Sequence, residues 1–219
     1  MMTLYDYELS GNCYKVRLML SMLGIPCETR VVEFYPAAEH KQQRFLQINP
    51  MGTLPVLCDA ELTLTDSSAI LVYLAMQHDT SKQWYPAHDA EATARITQWL
   101  AFAESLTTSA GTARLINGFF YEQDLQDCQQ RAHRLLRILD EHLWFAEKQR
   151  QHWLVPSDHP SIADIACFPY IILCEEGGIS QQDYPAVRRW CDRVKHISGF
   201  IVMPGVFPAG PVREGATRV

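Results

Sequence analysis

Groups that could bind a small anionic molecule are concentrated between positions 49 and 68 of this sequence. Two short apolar runs, 56–58 and 62–64, flank a polar turn of three residues, and this pattern predicts a β-hairpin. The Asp-Ser-Ser run at 66–68 then precedes an apolar segment, which predicts an N-cap and the start of a buried helix. Free N–H groups and the positive end of the helix dipole meet there, so the position favours a carboxylate.

Pro55 opens the first strand of this hairpin, where its missing N–H costs no ladder hydrogen bond. If the Leu54–Pro55 peptide bond is cis, Leu54 presents its own N–H and C=O to a partner instead of pairing within the sheet. Free backbone beside a carboxylate-binding helix start suits an extended peptide with charged ends.

The apolar periodicity predicts the elements that position these residues. In the first 78 residues the order is β-α-β-α-β-β-α, with one helix beginning at Cys13 and a short polar helix over 39–48. A strand–helix–strand start implies a parallel pair with a right-handed crossover, and the hairpin adds an antiparallel edge. After a polar segment no strand pattern returns, and structure should fade from Ser198 onward. Helices are predicted over 90–116, 124–147, 162–173 and 184–195.

The composition argues against several classes of function. A net charge of −6 disfavours bulk nucleic-acid binding. Seven cysteines without a Cys-x-x-Cys pair or a zinc-site spacing are typical of reduced thiols in a cytoplasmic protein without a metal site. The start of the chain does not resemble a signal peptide. The most apolar stretch, 162–173, is too short to span a bilayer and begins with a predicted capping box of Ser161 and Asp164.

Four motifs occur in order along the chain: Ser10-Gly11-Asn12, Asn49-Pro50-x-Gly52-x-Leu54-Pro55-Val56-Leu57, Asp66-Ser67-x-Ala69-Ile70-x-x-Tyr73-Leu74 and Ser161-x-Ala163-Asp164. Together they resemble the glutathione S-transferase family, and its theta-like bacterial members in particular. The resemblance implies an α+β protein whose N-terminal domain has the thioredoxin-like βαβαββα fold and whose second domain is an all-α bundle. The expected boundaries are 1–78 for the first domain, 79–89 for a linker, 90–200 for the second domain and 201–219 for a C-terminal tail.

The resemblance also implies a glutathione site, a cis Pro55 and a homodimer. The γ-glutamyl carboxylate would lie on Ser67 and the helix start, with Asp66 facing the ammonium group. The cysteinyl backbone would pair with Leu54 as an added strand. The glycyl carboxylate needs a cation, and His40 or Lys41 is the candidate. Thr53, also expected in the glutathione site, stands where many family members have lysine, so one charge contact is missing.

Ser10 is the expected catalytic residue, because a hydroxyl that donates to the sulfur of glutathione stabilises the thiolate more than the thiol. Asn12 is expected to supply a second donor through its amide. A plain helix cap is the alternative role for Ser10. Some classes use a tyrosine in this region, so Tyr5 and Tyr7 compete. Cys13 has the thioredoxin spacing from Ser10 and could form a mixed disulfide, although a structural thiol is the favoured interpretation.

The second substrate would lie between the domains, over Ser10. The apolar side chains expected to line its pocket are Phe102, Leu106 and Phe120. We therefore expect glutathione conjugation of a hydrophobic electrophile. Two alternatives remain: glutathione-dependent reduction of disulfides or peroxides, and a non-catalytic module that binds glutathione or another ligand.

Overall fold

The structure, a computed structural model, describes residues 1–119 and 121–208. Phe120, one of the expected pocket residues, and residues 209–219 of the expected tail lie outside this part.

Four short segments within the first 64 positions form one four-stranded sheet in the order β2-β1-β3-β4. The β1–β2 pair is parallel, and the other two pairs are antiparallel. The predicted hairpin is present, with Leu57 opposite Leu64 and Asp59 opposite Leu62. The predicted turn of three residues is wrong, because Asp59 pairs within the strand and only residues 60 and 61 form the turn. Ala60, with φ of 50°, lies in its turn. The strands are β1 (Thr3–Asp6), β2 (Glu28–Val31), β3 (Val56–Asp59) and β4 (Leu62–Leu64).

The first domain also contains three α-helices: α1 (Gly11–Met22) between β1 and β2, α2 (Gln43–Leu46) between β2 and β3, and α3 (Ser67–His78) after β4. Helix α1 begins two residues earlier than predicted because Ser10 caps it. The single helix predicted over 39–48 is wrong. A 3₁₀ turn at Glu39–Lys41 precedes α2, and Gln42 separates the two with an extended backbone (φ −77°, ψ 150°).

From residue 90 onward, the regular elements that the structure describes are helices, as predicted. Thr107–Gly111 forms a π-helical turn that joins α4 to α5 without a break, and a 3₁₀ turn, Cys174–Gly177, follows α7. These helices are α4 (Ala90–Leu106), α5 (Thr112–Phe119), α6 (Leu125–Lys148), α7 (Ile162–Ile172) and α8 (Pro185–Lys195). None of the helices in the described ranges has both the length and the apolar character needed to cross a bilayer.

Helix α7 is the centre of the helical domain and packs against α1 of the sheet domain as well as α4. The predicted capping box is present: the Ser161 N–H donates to Asp164 Oδ2 at 2.9 Å, and the Ser161 side chain caps the helix. Asp164 is fully buried and also accepts hydrogen bonds from the Leu154 N–H (3.1 Å) and from Trp190 Nε1 (2.9 Å). One carboxylate thus fixes the start of α7, the segment before it and α8.

The segment after α8 is irregular, but it is not detached from the fold. The Tyr14 hydroxyl of α1 donates to the Ile201 carbonyl at 2.5 Å, and Met203 and Val206 are buried. The segment therefore packs back on the domains as far as Val206, although it forms no helix or strand there, as the sequence predicts.

Candidate functional site

The two domains enclose a cavity of about 250 Å³ beside the N-terminus of α1. Four expected site residues line it: Ser10, Asn12, Thr53 and Leu54. The other lining residues are Tyr7, Leu9, Gly11 and Phe34 from the first domain and Thr107, Thr108, Gly111, Thr112, Arg114, Leu115 and Tyr170 from the second. A second cavity, of about 340 Å³, lies near Tyr5 and Phe45 and contains none of the expected catalytic or glutathione-binding residues.

Ser10 combines the two roles that the sequence left open. Its Oγ accepts a hydrogen bond from the Cys13 N–H at 3.2 Å and so caps α1. Its own N–H donates to the Tyr7 carbonyl at 2.9 Å, which fixes the loop. A hydroxyl that accepts through a lone pair still has its hydrogen to donate. Ser10 can therefore cap the helix and at the same time donate to a ligand in the cavity.

Asn12 has an unsatisfied side chain in the first turn of α1. Its Oδ1 is buried and has no hydrogen-bond partner among the described residues. An unpaired buried polar atom costs about 1–3 kcal/mol, so a ligand that supplies the missing partner is favoured. Rotation of the amide by a half turn presents its NH₂ group at the same place. The side chain therefore fits either a donor or an acceptor on a bound peptide.

Cys13, unlike Ser10 and Asn12, does not line the cavity. The side chain is fully buried, and burial raises the pKa of its thiol to about 12, with a further contribution from the charge of Asp6. A protonated, inaccessible thiol is not a nucleophile at neutral pH. The geometry agrees with a structural thiol and gives no support to a mixed disulfide at Cys13.

The two competing tyrosines lie in different places. Tyr7 lines the cavity and stacks on Phe34, with ring centroids 5.5 Å apart. Burial raises the pKa of Tyr7, so its hydroxyl is protonated at neutral pH and can donate. Tyr5 lies outside the cavity, where its hydroxyl accepts from Arg30 Nη1 at 3.3 Å. Tyr7 remains an alternative donor to Ser10, whereas Tyr5 has another role.

The hairpin offers the expected free backbone. The Leu54–Pro55 bond is cis, and neither the N–H nor the C=O of Leu54 is hydrogen-bonded among the described residues. Thr53 lies next to it, with its carbonyl bound by Asn49 Nδ2 at 2.8 Å. The edge at Leu54 is therefore open to a ligand strand.

His40 and Lys41 are not equivalent candidates for the glycyl carboxylate. His40 is buried and stacks on Phe34 at 4.1 Å, and burial together with the charge of Lys41 lowers its pKa, so it is neutral at pH 7. Lys41 is exposed, and its Nζ donates to the Gly52 carbonyl at 3.0 Å in the turn before Leu54. Only Lys41 of these two supplies a positive charge.

The start of α3 has the predicted cap. Asp66 Oδ1 accepts from the Ala69 N–H at 2.8 Å, while Oδ2 has no partner among the described residues. Ser67, the first residue of the helix, is 6% exposed. Neither residue lines the cavity, so the expected γ-glutamyl site is separate from the space around Ser10.

The second-domain wall of the cavity differs from the expectation. Leu106 is buried in the core, and Phe102 packs edge-on against Trp99 with centroids 5.0 Å apart. Neither side chain lines the cavity, so both predictions are corrected. The wall is formed instead by residues of the π turn and the first turns of α5. Thr107, Thr108 and Gly111 have small side chains or none, which leaves space for a ligand at this part of the helix.

Two functional candidates, Tyr170 and Arg114, were missed by sequence reasoning. A Cβ on either Gly11 or Gly111 would lie 2.8 Å from Tyr170 Cε1, so this ring fills the gap between the domains. Arg114 Nη1 donates to the Leu9 carbonyl at 2.5 Å, and its Nε pairs with Glu176. The only sequence signal was the run of small and polar residues over 107–112, inside a segment that otherwise has a core-helix pattern.

Comparisons with known proteins agree with this geometry. Family models described as the glutathione S-transferase N-terminal and C-terminal domains match residues 4–82 and 110–193. Human glutathione S-transferase theta-2 is 46% identical over 79 residues, which is 36% of this chain and only 32% of the human protein. The glutathione S-transferase-like protein tpcF of Aspergillus fumigatus is 29% identical over 90% of this chain and 93% of its own. A crystal structure of a glutathione S-transferase from Xanthobacter autotrophicus superposes with a TM-score of 0.81 at 30% identity, covering 94% of this chain and 98% of that one.

Proposed function

This chain belongs to the glutathione S-transferase family, and we propose that it activates the thiol of glutathione at Ser10 for attack on an electrophilic carbon. The observation that carries the proposal is the position of Ser10. Its hydroxyl caps α1 through a lone pair and lines a cavity to which both domains contribute.

The chemistry follows from the acidity of a thiol. A free thiol has a pKa of about 8.5, so only a few per cent is thiolate at pH 7. A donated hydrogen bond and the positive end of α1 both favour the thiolate. A decrease of about two pKa units, or about 2.7 kcal/mol, would make most of the bound glutathione nucleophilic at pH 7. The released proton goes to solvent, the C–S bond forms, and the leaving group departs with its electron pair.

The rest of the tripeptide has groups of suitable chemistry nearby. The open backbone of Leu54 would pair with the cysteinyl residue, and Lys41 would face the glycyl carboxylate. The unpaired Asp66 Oδ2 and the N-terminus of α3 would hold the γ-glutamyl end, with Ser67 at the helix start. The homodimer implied by the family resemblance remains a prediction, which light scattering of the purified chain can check.

Three substitutions at Ser10 test the mechanism. Ser10→Ala removes both cap and donor, Ser10→Asp keeps a capping oxygen but cannot donate, and Ser10→Thr keeps both. We expect the bound thiol to have a low pKa in wild type and Ser10→Thr and an ordinary one in Ser10→Ala and Ser10→Asp. The ultraviolet absorbance of the thiolate, titrated with pH, reports this directly, and conjugation of chlorodinitrobenzene reports the rate.

The same variants separate the alternatives. If Ser10→Ala keeps the wild-type thiol pKa and rate, Ser10 is only a cap and Tyr7 becomes the candidate donor. If calorimetry detects glutathione binding but no variant or wild type turns over any electrophile, the chain is a binding module. Disulfide reduction would have to proceed through glutathione alone, because Cys13 is buried and protonated.

A further inference from the structure

The second-domain wall of the cavity contains polar side chains that a pocket for simple hydrophobic electrophiles does not require. Its side chains include three threonines and one arginine. Thr107 and Thr108 donate their hydroxyl hydrogens to helix carbonyls of Ala103 (3.0 Å) and Glu104 (3.1 Å). The hydroxyl of Thr112 has no hydrogen-bond partner among the described residues. Thr112, Arg114 and the hydroxyl of Tyr170, which also lines the cavity, are therefore the donors that this wall can offer to a ligand.

Arg114 is an unusual residue to find in such a position. Its side chain is only 8% exposed, and a guanidinium remains charged in proteins. Nη1 donates to the Leu9 carbonyl and Nε pairs with Glu176, whereas Nη2 has no partner among the described residues. The Glu176 side chain is 41% exposed, so water screens its charge more than that of Arg114. The unused N–H groups of Arg114 are therefore a source of positive charge at the cavity.

The charge of Arg114 also acts on Tyr7, on the opposite wall of the cavity. Burial and the charge of Glu33 raise the pKa of Tyr7 more than Arg114 lowers it, and Glu8 raises it further. Both glutamates are exposed, and neither lines the cavity. Within the cavity lining, Arg114 is the one side chain with a full charge.

We infer that the second substrate is a small electrophile that carries a carboxylate, bound by Arg114 and the Thr112 hydroxyl with its electrophilic carbon toward Ser10. This inference rests on the proposed function, since it assigns the partner of the activated thiol. An Arg guanidinium and a neutral hydroxyl together match the two oxygens of a carboxylate. The cavity, at about 250 Å³, also has to admit the cysteinyl group of glutathione, which limits the electrophile to a small molecule.

A matched pair of aryl halides tests the inference. Chlorodinitrobenzene and chlorodinitrobenzoate undergo the same reaction, in which the C–S bond forms and chloride leaves with the bonding pair, but only the second carries a carboxylate. The rates with free glutathione are measured first and used to normalise the enzymic rates. We expect wild type to prefer the carboxylate, and Arg114→Gln to lower kcat/KM for it about 10- to 100-fold more than for the neutral compound.

Two further variants separate recognition from structure, because Arg114 also holds the loop at Leu9. If Arg114 has only a structural role, Arg114→Gln lowers the rates with both halides by the same factor and leaves the preference for the carboxylated halide unchanged. That result would overturn the inference. Thr112→Val removes the second donor without touching that loop and should also reduce the preference. Glu176→Gln removes a partner of Arg114 outside the cavity and should not reduce it.

Binding of the products keeps the inference separate from catalysis. The two glutathione conjugates can be prepared without enzyme and titrated by calorimetry. The carboxylated conjugate should bind about 10- to 100-fold more weakly to Arg114→Gln than to wild type, and the neutral conjugate should lose much less. If wild type converts neither halide but shows this binding difference, the proposed function fails and the carboxylate site stands. If wild type converts the neutral halide in a Ser10-dependent reaction but shows no preference for the carboxylated halide or conjugate, the proposed function stands and the carboxylate site is refuted.

Discussion

Lys15 is a buried cation whose replacement should stabilise the protein. It lies in α1 at the contact with α7, its side chain is 1% exposed, and it forms no ion pair among the described residues. Its Nζ is 5.3 Å from the centroid of the Tyr170 ring, a cation–π arrangement. Burial lowers the pKa of Lys15 to about 8, although the charges of Glu104 and Asp66 act to raise it.

The magnitude follows from that shift. One pKa unit corresponds to about 1.4 kcal/mol, so lowering the pKa from 10.5 to about 8 makes the charged lysine about 3 kcal/mol unfavourable in the folded state at pH 7. The cation–π contact returns about 1 kcal/mol. Methionine has nearly the same length and volume but no charge to desolvate. We therefore expect Lys15→Met to raise the free energy of unfolding by about 2 kcal/mol at pH 7.

The pH dependence gives this prediction its signature. Because the folded pKa lies below the unfolded one, the unfolded chain holds the proton more tightly, and the penalty is complete below the folded pKa. It fades as pH rises from about 8 toward 10.5, where the lysine loses its proton in both states. The advantage of Lys15→Met should accordingly fall below about 1 kcal/mol near pH 10.

Urea denaturation of wild type and Lys15→Met at several pH values measures this difference, and other titrating groups cancel because both chains contain them. Lys148 provides a matched control, since its Nζ lies 5.0 Å from the centroid of Trp144 but at an exposed position. Lys148→Met should change the free energy of unfolding by less than about 0.5 kcal/mol at every pH. A destabilised Lys15→Met at pH 7, or a gain that is independent of pH, would refute the reasoning.

Three further predictions concern the packing around the site. Gly111→Ala would place a Cβ 2.8 Å from Tyr170 Cε1 and should cost about 1–3 kcal/mol, whereas Gly118→Ala, with no atom within 4 Å, should be neutral or stabilising; denaturation of both variants decides. Asp164→Leu leaves three buried N–H donors and the Ser161 hydroxyl without their acceptor and should lower the free energy of unfolding by more than about 3 kcal/mol, again measured by denaturation. Cys13 should not react with a thiol reagent in the native protein, and Cys13→Ala should keep the conjugation rate within about two-fold, a result that a thiolate mechanism at Cys13 could not give.

Much of the glutathione side could be predicted because local rules determine it. A hairpin is specified by its own two strands and turn, and a cap by the residues within four positions of it. The cap at Asp66, the hairpin and the capping box at Ser161 therefore follow from sequence, whereas the hairpin register, with Leu57 opposite Leu64, does not. Helix 39–48 was wrong because Gln42 adopts an extended backbone that its sequence neighbours do not specify.

The second-domain wall of the cavity could not be predicted, because its composition depends on which face of a helix meets the other domain. Leu106 and Phe102 are apolar at helical spacing, and that pattern says they are buried without saying against what. The π turn at Thr107–Gly111 adds a residue to the helical path and so rotates α5, with Arg114, relative to a continuous α-helix. Phe102 and Leu106 lie before this turn, and Leu106 is buried in the core. A period of 3.6 carried through the whole segment therefore cannot give the face that α5 presents to the cavity.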